Sequence, residues 1–339
     1  MIVTKDNNLR LNWIDYAKGV GIILVVFGHV LKGLNTSKLV EPTFYYYAIN
    51  FIYSFHMPLF FMLSGYFFLA SFNKRGTQLF IVNKLETIAY PFLIWSVIQT
   101  VIEIKLSGLT NGYKDSASLI EIFYRPKDQF WFMFALFFIN ILTVIMFNIS
   151  KKWGVVISIM LWIICYTFKL RTDLFNKTLI NLIYFTGGII LSVNQSYTKQ
   201  LLTNKYVLLI NLVGFCLSLY FYFNFSQKLW YNQIFPQFFG CFIVIHVAKM
   251  LSEVSWLSFV EYLGINSMII YLVHILAASG IRIILSRLFH ITNSPIHMIT
   301  GTLAGLIIPL VFYHFAKKTK YLLWLFEFPL KKKFVTKSL

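Results

Sequence analysis

Apolar residues run along this chain in ten blocks, at residues 12–33, 44–70, 86–104, 129–149, 153–168, 178–194, 205–225, 231–251, 262–281 and 297–316. An α-helix rises about 1.5 Å per residue, so about 20 apolar residues cross the roughly 30 Å of bilayer hydrocarbon. The pattern predicts an all-α, polytopic integral membrane bundle of about ten transmembrane helices. Residues 1–320 are expected to form that bundle, and residues 321–339, which mix aromatics with lysines, an interfacial cytoplasmic tail. The first block shows no small-residue cleavage site and many spans follow it, so it is expected to remain as an anchor.

An even number of spans places both termini on one side. With the termini cytoplasmic, 18 of the 30 lysines and arginines fall on the inner side, seven of them from Lys317 onward. Excess basic charge marks the cytoplasmic side. The longest loop, residues 105–128, then faces outward.

Polar residues inside the blocks are few, and their spacing is informative. The first block, LNWIDYAKGVGIILVVFGHV at residues 11–30, carries Asp15, Lys18 and His29. Eleven residues make about three helical turns, so Lys18 and His29 share a face within about 20° and lie roughly 16 Å apart along the axis. Asp15, one turn before Lys18, joins the same stripe. Ionisable groups are costly in a membrane and normally face the bundle interior, which makes the stripe a candidate site. The plainer alternative keeps Asp15 and Lys18 at the interface, with Lys18 snorkelling to water and His29 bonded to a neighbouring helix.

The second block carries SFHMPLFFMLSGYFF at residues 54–68. Pro58 frees a backbone carbonyl near His56, while Ser64 and Gly65 permit close helix approach. Such a helix can bend around a cavity, and antiparallel pairing with the first helix would let His56 and His29 share it. Alternatively, His56 serves only to bond a carbonyl that the proline exposes.

Composition agrees with the pattern: of 339 residues, 58% are hydrophobic and 12% charged. The net charge of +18 is therefore read as membrane orientation, and no nucleic-acid partner is expected. Cys165, Cys216 and Cys241 stand singly in apolar runs, which suggests neither a disulfide framework nor a metal centre. HExxH and HxxxH spacings are absent, and no metal is expected.

Five stretches together resemble membrane acyltransferase family 3, and within it the sugar O-acetylase branch. They are KGVGIILVVFGH at residues 18–29, FHMPLFFMLSGYFF at 55–68, Lys84 ahead of Pro91, the pair Trp131 and Phe132, and YLVH at 271–274. This sequence has Lys18 where the family has an arginine separated by ten residues from its histidine, and a lysine lacks the arginine's bidentate fork. Glu86 and Thr87 also stand where the family often has further basic residues.

The resemblance implies a bacterial inner-membrane enzyme. Such an enzyme transfers an acyl group, usually acetyl from cytoplasmic acetyl-CoA, to a hydroxyl of an extracytoplasmic polysaccharide or lipid-linked sugar. It implies His29 as the general base, or as a transient acetyl carrier. The phosphates of such a donor need cations at the inner mouth, where Lys18, Lys74, Arg75 and Lys84 fall in this topology, and Asp15, three residues from Lys18, is expected to pair with it and hold it in place. His56, Ser64 and backbone amides near Pro58 are candidate oxyanion donors. The expected partners are an acyl-CoA donor, a glycan acceptor and the lipid bilayer. His274 would line the cavity or pack, Trp131 would stack on a sugar or sit at the interface, and Arg282 and Arg287 would contact anionic groups or snorkel. A glycan transporter or flippase is the rival reading, and an inactive partner in a polysaccharide assembly complex a third.

Overall fold

A computed structural model describes residues 12–105, 118–124, 126, 128–150, 153–168, 173–225 and 230–328. Lys5, Arg10, Lys151, Lys152, most of the 105–128 loop and the lysines beyond 328 lie outside the described residues. The described chain is helical: α1 Asn12–Thr36, α2 Pro42–Tyr53, α3 His56–Tyr66, α4 Phe68–Lys84, α5 Tyr90–Lys105, α6 Ser118–Glu121, α7 Trp131–Ile149, α8 Gly154–Phe168, α9 Asp173–Val193, α10 Gln195–Thr203, α11 Lys205–Asn224, α12 Trp230–Leu251, α13 Ser258–Ile265, α14 Ser267–Ile283 and α15 Ser294–Thr319. Among the described residues, nine helical stretches are long and apolar enough to cross a bilayer. The tenth expected block is α8, apolar but only 15 residues long. The architecture is an all-α, multi-pass membrane bundle.

Helix α1 is its axis. It touches α2, α3, α12, α13, α14 and α15, and most of its residues are buried. Small residues make this possible, since helices in lipid gain contact mainly by close van der Waals approach. A Cβ on Gly264 of α13 would lie 1.7 Å from the Asp15 carbonyl oxygen, and one on Gly19 would lie 2.0 Å from that of Val260. Helices α3 and α9 meet in the same way, at Gly65 against Phe185 and Gly188 against Met62.

Breaks in the helices fall where the sequence forbids continuity. The 44–70 block holds α2, α3 and the start of α4; α2 and α3 part at Ser54 and Phe55, because Pro58 has no N–H to offer the Ser54 carbonyl one turn back. Glu41 caps α2 by accepting from the Thr43 and Phe44 amides at 2.8 and 2.6 Å. Those N–H donors hold its exposed carboxyl below the usual range. Within α4, Gly76 adopts φ 70°, a conformation open to glycine, and kinks the chain. A π-helical turn, Leu85–Ala89, joins α4 to α5. The 262–281 block is likewise divided at Asn266, between α13 and α14.

Of the expected tail, residues 321–328 are described and hold to α5 and α15. Trp95 Nε1 donates to the Leu325 carbonyl at 2.8 Å and Tyr90 donates to that of Trp324 at 2.9 Å. Phe326 packs between Trp95 and Tyr313.

The glycine contacts make a direct prediction. Gly188→Ala drives a methyl to within 1.9 Å of the Met62 carbonyl and should cost about 1–3 kcal/mol or more. Gly280→Ala, with nothing within 4 Å, should hold or raise stability. Thermal melts of the two purified variants in detergent check the contrast.

Candidate functional site

The polar residues of α1 fall into two groups at opposite ends of the bundle. Near its start, Lys18 Nζ lies 3.4 Å from Asp15 Oδ1 and 5.0 Å from the ring centroid of Phe67. The link of α3 to α4 belongs to this end, where Tyr66 meets Trp13. Arg75 donates to Ser71 Oγ at 2.9 Å, Lys74 is exposed, and Lys84 Nζ sits 4.9 Å from the centroid of Phe80. The predicted cations therefore gather toward one face, and Asp15 pairs with Lys18 rather than with His29.

His29 lies toward the other end, in the wall of a cavity of about 290 Å³. Val25, His29 and Lys32 of α1 form one side. Tyr53, His56, Met57 and Pro58, at the break between α2 and α3, form the next. Gln129 and Trp131 come from the approach to α7, and Lys177, Ile180 and Asn181 from the first turns of α9. Gln237 of α12 and Tyr271 of α14 complete the lining. The two histidines thus share a cavity, with the Tyr53 ring 4.6 Å from His56 and 6.4 Å from His29. Asp15, Lys18, Ser64, Lys74, Arg75 and Lys84 do not line it.

Hydrogen bonds fix which nitrogen of His56 is available. Its Nδ1 lies 2.7 Å from the Ile52 carbonyl oxygen, which can only accept. Nδ1 therefore carries the proton in the neutral ring, and Nε2 holds a lone pair. His274 is fixed alike, with Nδ1 at 2.8 Å from the Tyr271 carbonyl and 3.2 Å from that of Ile270. It is fully buried behind His29, the ring centroids 5.1 Å apart.

A second network orients an amide toward the cavity. Gln99 Nε2 donates to the Glu103 carboxylate at 3.0 Å, which turns the Gln99 oxygen to accept from Gln129 Nε2 at 2.8 Å. Gln129 Oε1 is left buried without a protein donor. Tyr271 holds the same residue by donating to its backbone carbonyl. A ligand hydroxyl or amide N–H reaching Oε1 would satisfy an oxygen that is otherwise costly to bury.

Charge and aromatic surface face the same space. Lys32 Nζ is 4.1 Å from the Tyr53 centroid, and Lys177 Nζ is 5.9 Å from that of Trp131. The described lining includes no carboxylate. Trp131 is therefore a wall of the cavity as well as an aromatic residue near a helix end. Arg282 is a clamp, donating to the Gly33 carbonyl and so tying α14 to the end of α1. Among the described residues, no three His, Cys, Asp or Glu side chains gather as a metal centre requires.

Sequence reasoning did not single out Lys32, Tyr53, Gln129, Lys177, Asn181 or Gln237. For two of them the signal was present, since Lys32 is one turn after His29 and Tyr53 one turn before His56. The others arrive from separate helices.

Residues 11–314 match a family model described as an acyltransferase domain. The chain belongs to this acyltransferase family. The match includes every residue that lines the cavity, together with Asp15, Lys18, Lys74, Arg75 and Lys84. The acyltransferase chain is also similar to the nodulation protein NolL of Sinorhizobium fredii, 30% identical over 146 residues, covering 41% of this chain and 38% of that protein. NolL of Mesorhizobium japonicum is 27% identical over 157 residues, covering 43% and 39%. The chain thus spans under half the length of the curated relatives it matches. No solved structure matches it significantly.

The separation of the two ends can be tested in a cysteine-free background. Lys177→Cys and Lys32→Cys should react with a membrane-impermeant maleimide from one face of a sealed vesicle, and Arg75→Cys from the other. Labelling of all three from one face would contradict the arrangement.

Proposed function

We propose that this acyltransferase is a membrane-bound O-acyltransferase of the bacterial cytoplasmic membrane, with both termini cytoplasmic. It moves an acyl group, acetyl from acetyl-CoA, to a hydroxyl of an extracytoplasmic polysaccharide or lipid-linked sugar. The observation that carries the reading is that His29 and His56 meet in a cavity walled by Lys32, Lys177 and Trp131, at the end of α1 opposite Lys18. Family membership supplies the reaction class.

In this reading, His29 takes the proton of the acceptor hydroxyl as its oxygen attacks the thioester carbonyl. Lys32, one turn from His29 on the same wall, offers positive charge to the oxyanion that forms. Collapse breaks the carbon–sulfur bond, and the leaving thiolate receives the proton from His29. His56 Nε2 and Gln129 Oε1 hold neighbouring donors of the acceptor, while Trp131 gives a flat surface against which a sugar ring can rest. At the inner end, Lys18, braced by Asp15, and the cations Lys74, Arg75 and Lys84 meet the anionic part of the coenzyme. Lys18 acts there as a point charge, without an arginine's planar fork.

The test is incorporation of radiolabelled acetyl from acetyl-CoA into envelope glycan, in membranes carrying equal amounts of wild type or variant. His29→Ala should lower incorporation about 100- to 10,000-fold. Lys18→Gln should act mainly by raising the acetyl-CoA concentration needed, and Lys18→Arg should restore it. Incorporation by wild type and His29→Ala alike would remove His29 from the chemistry. Glycan export that depends on the protein, with no label incorporated, would make it a transporter.

A further inference from the structure

A base that accepts a proton from substrate needs its ring held in one tautomer, and Asp15 is about 20 Å along α1 from His29, too distant to do this. The only other ring that touches His29 besides Tyr53, among the described contacts, is His274. We propose that His274 orients His29: its Nε2 accepts a hydrogen bond from one ring N–H of His29, leaving the other His29 nitrogen as the lone pair that faces the acceptor hydroxyl. This rests on the acyl-transfer reading of the cavity.

His274 is prepared for that role by its own helix. The Tyr271 and Ile270 carbonyls accept from Nδ1, so the neutral ring must carry its lone pair on Nε2. That nitrogen is buried and makes no hydrogen bond to a protein group. A buried acceptor of this kind calls for a donor. His246 gives the contrast, since both of its nitrogens lie against carbonyls, Phe242 at 2.9 Å and Leu201 at 3.0 Å. Its ring is engaged by the fold on both sides, and the ring of His274 on one.

The geometry allows the contact. The His29 and His274 rings meet at 63° with centroids 5.1 Å apart. The proposed bond forms by a turn about the χ2 torsion of His29, which is broad for an imidazole. Packing also holds His274 in place: α15 comes close at Gly305, where a Cβ would lie 3.6 Å from the His274 carbonyl oxygen and 2.6 Å from Val26. In the reaction, the hydroxyl proton moves to His29 as the ester bond forms, and passes to the sulfur as the carbon–sulfur bond breaks. His274 neither gains nor loses a proton. It stabilises the imidazolium by accepting from it, so it is a positioning residue.

The acetyl-transfer assay with His274→Gln and His274→Phe tests this. Glutamine places an amide oxygen near the Nε2 position, while phenylalanine keeps the ring shape without an acceptor. With both variants at wild-type abundance, His274→Phe should lose about 100-fold or more in turnover and His274→Gln should keep at least about a tenth, at unchanged KM for acetyl-CoA. A packing role would favour phenylalanine, so equal rates, or phenylalanine above glutamine, would overturn the proposal. If His274→Phe does not accumulate, protein labelled with 15N-histidine decides: a coupling between the two rings supports the hydrogen bond, and two uncoupled rings overturn it. Absence of any transfer by wild type would sink the acyl-transfer reading and this inference together. Loss with His29→Ala but not with His274→Phe would sink the inference alone.

Discussion

An imidazole within the bilayer has no bulk water to bond, and the arrangement of the bundle around α1 follows from that constraint. Each buried histidine near the cavity is answered by backbone carbonyls. His56 takes the Ile52 carbonyl, and His274 takes those of Tyr271 and Ile270. Because carbonyls only accept, the fold dictates tautomers. The protons are directed inward to the helices, and the lone pairs are directed toward the cavity or toward His29. Polar groups that are expensive in lipid are thereby converted into oriented acceptors.

Bringing these rings together requires close helix approach. Glycines at 19, 28, 264 and 305 let α13, α2 and α15 press onto α1, and Gly65 with Gly188 does the same for α3 and α9. The latter contact sets the position of Lys177 and Asn181, which the first turns of α9 deliver to the cavity wall. The break before Pro58 then turns His56 and Tyr53 toward the same space. Packing by small residues and chemistry by histidines are thus parts of one design, and the Arg282 clamp on Gly33 closes the end where the cavity lies.

Much of this was legible in the sequence, because hydrophobic run length is a strong signal when the solvent is a bilayer. The ten blocks correspond to nine membrane-length helical stretches and the shorter α8. The bend near Pro58 was legible from one residue whose missing N–H forces it. The split of residues 262–281 at Asn266 was not, since no proline marks it, and the seating of Gly264 against α1 just before it is a tertiary contact. The site was legible along single helices and illegible between them. His29 and His56 stood out as ionisable groups in apolar runs, but Gln129, Lys177 and Gln237 belong to three different elements, and their convergence is a property of packing. The expectation that Asp15 pairs with Lys18 three residues away followed from helical spacing alone.

The central claim is that one face of this bundle meets an acyl donor and the other acylates a hydroxyl. The most direct measurement reconstitutes the purified protein, in one orientation, into vesicles that contain envelope lipid-linked glycan. Labelled acetyl-CoA is supplied only on the face bearing Lys18 and Arg75. The account predicts alkali-labile acetyl ester on glycan at the opposite face, the face of Lys32 and Lys177. Glycan moved across the bilayer without acquiring label, or ester formed only on the donor side, would contradict it.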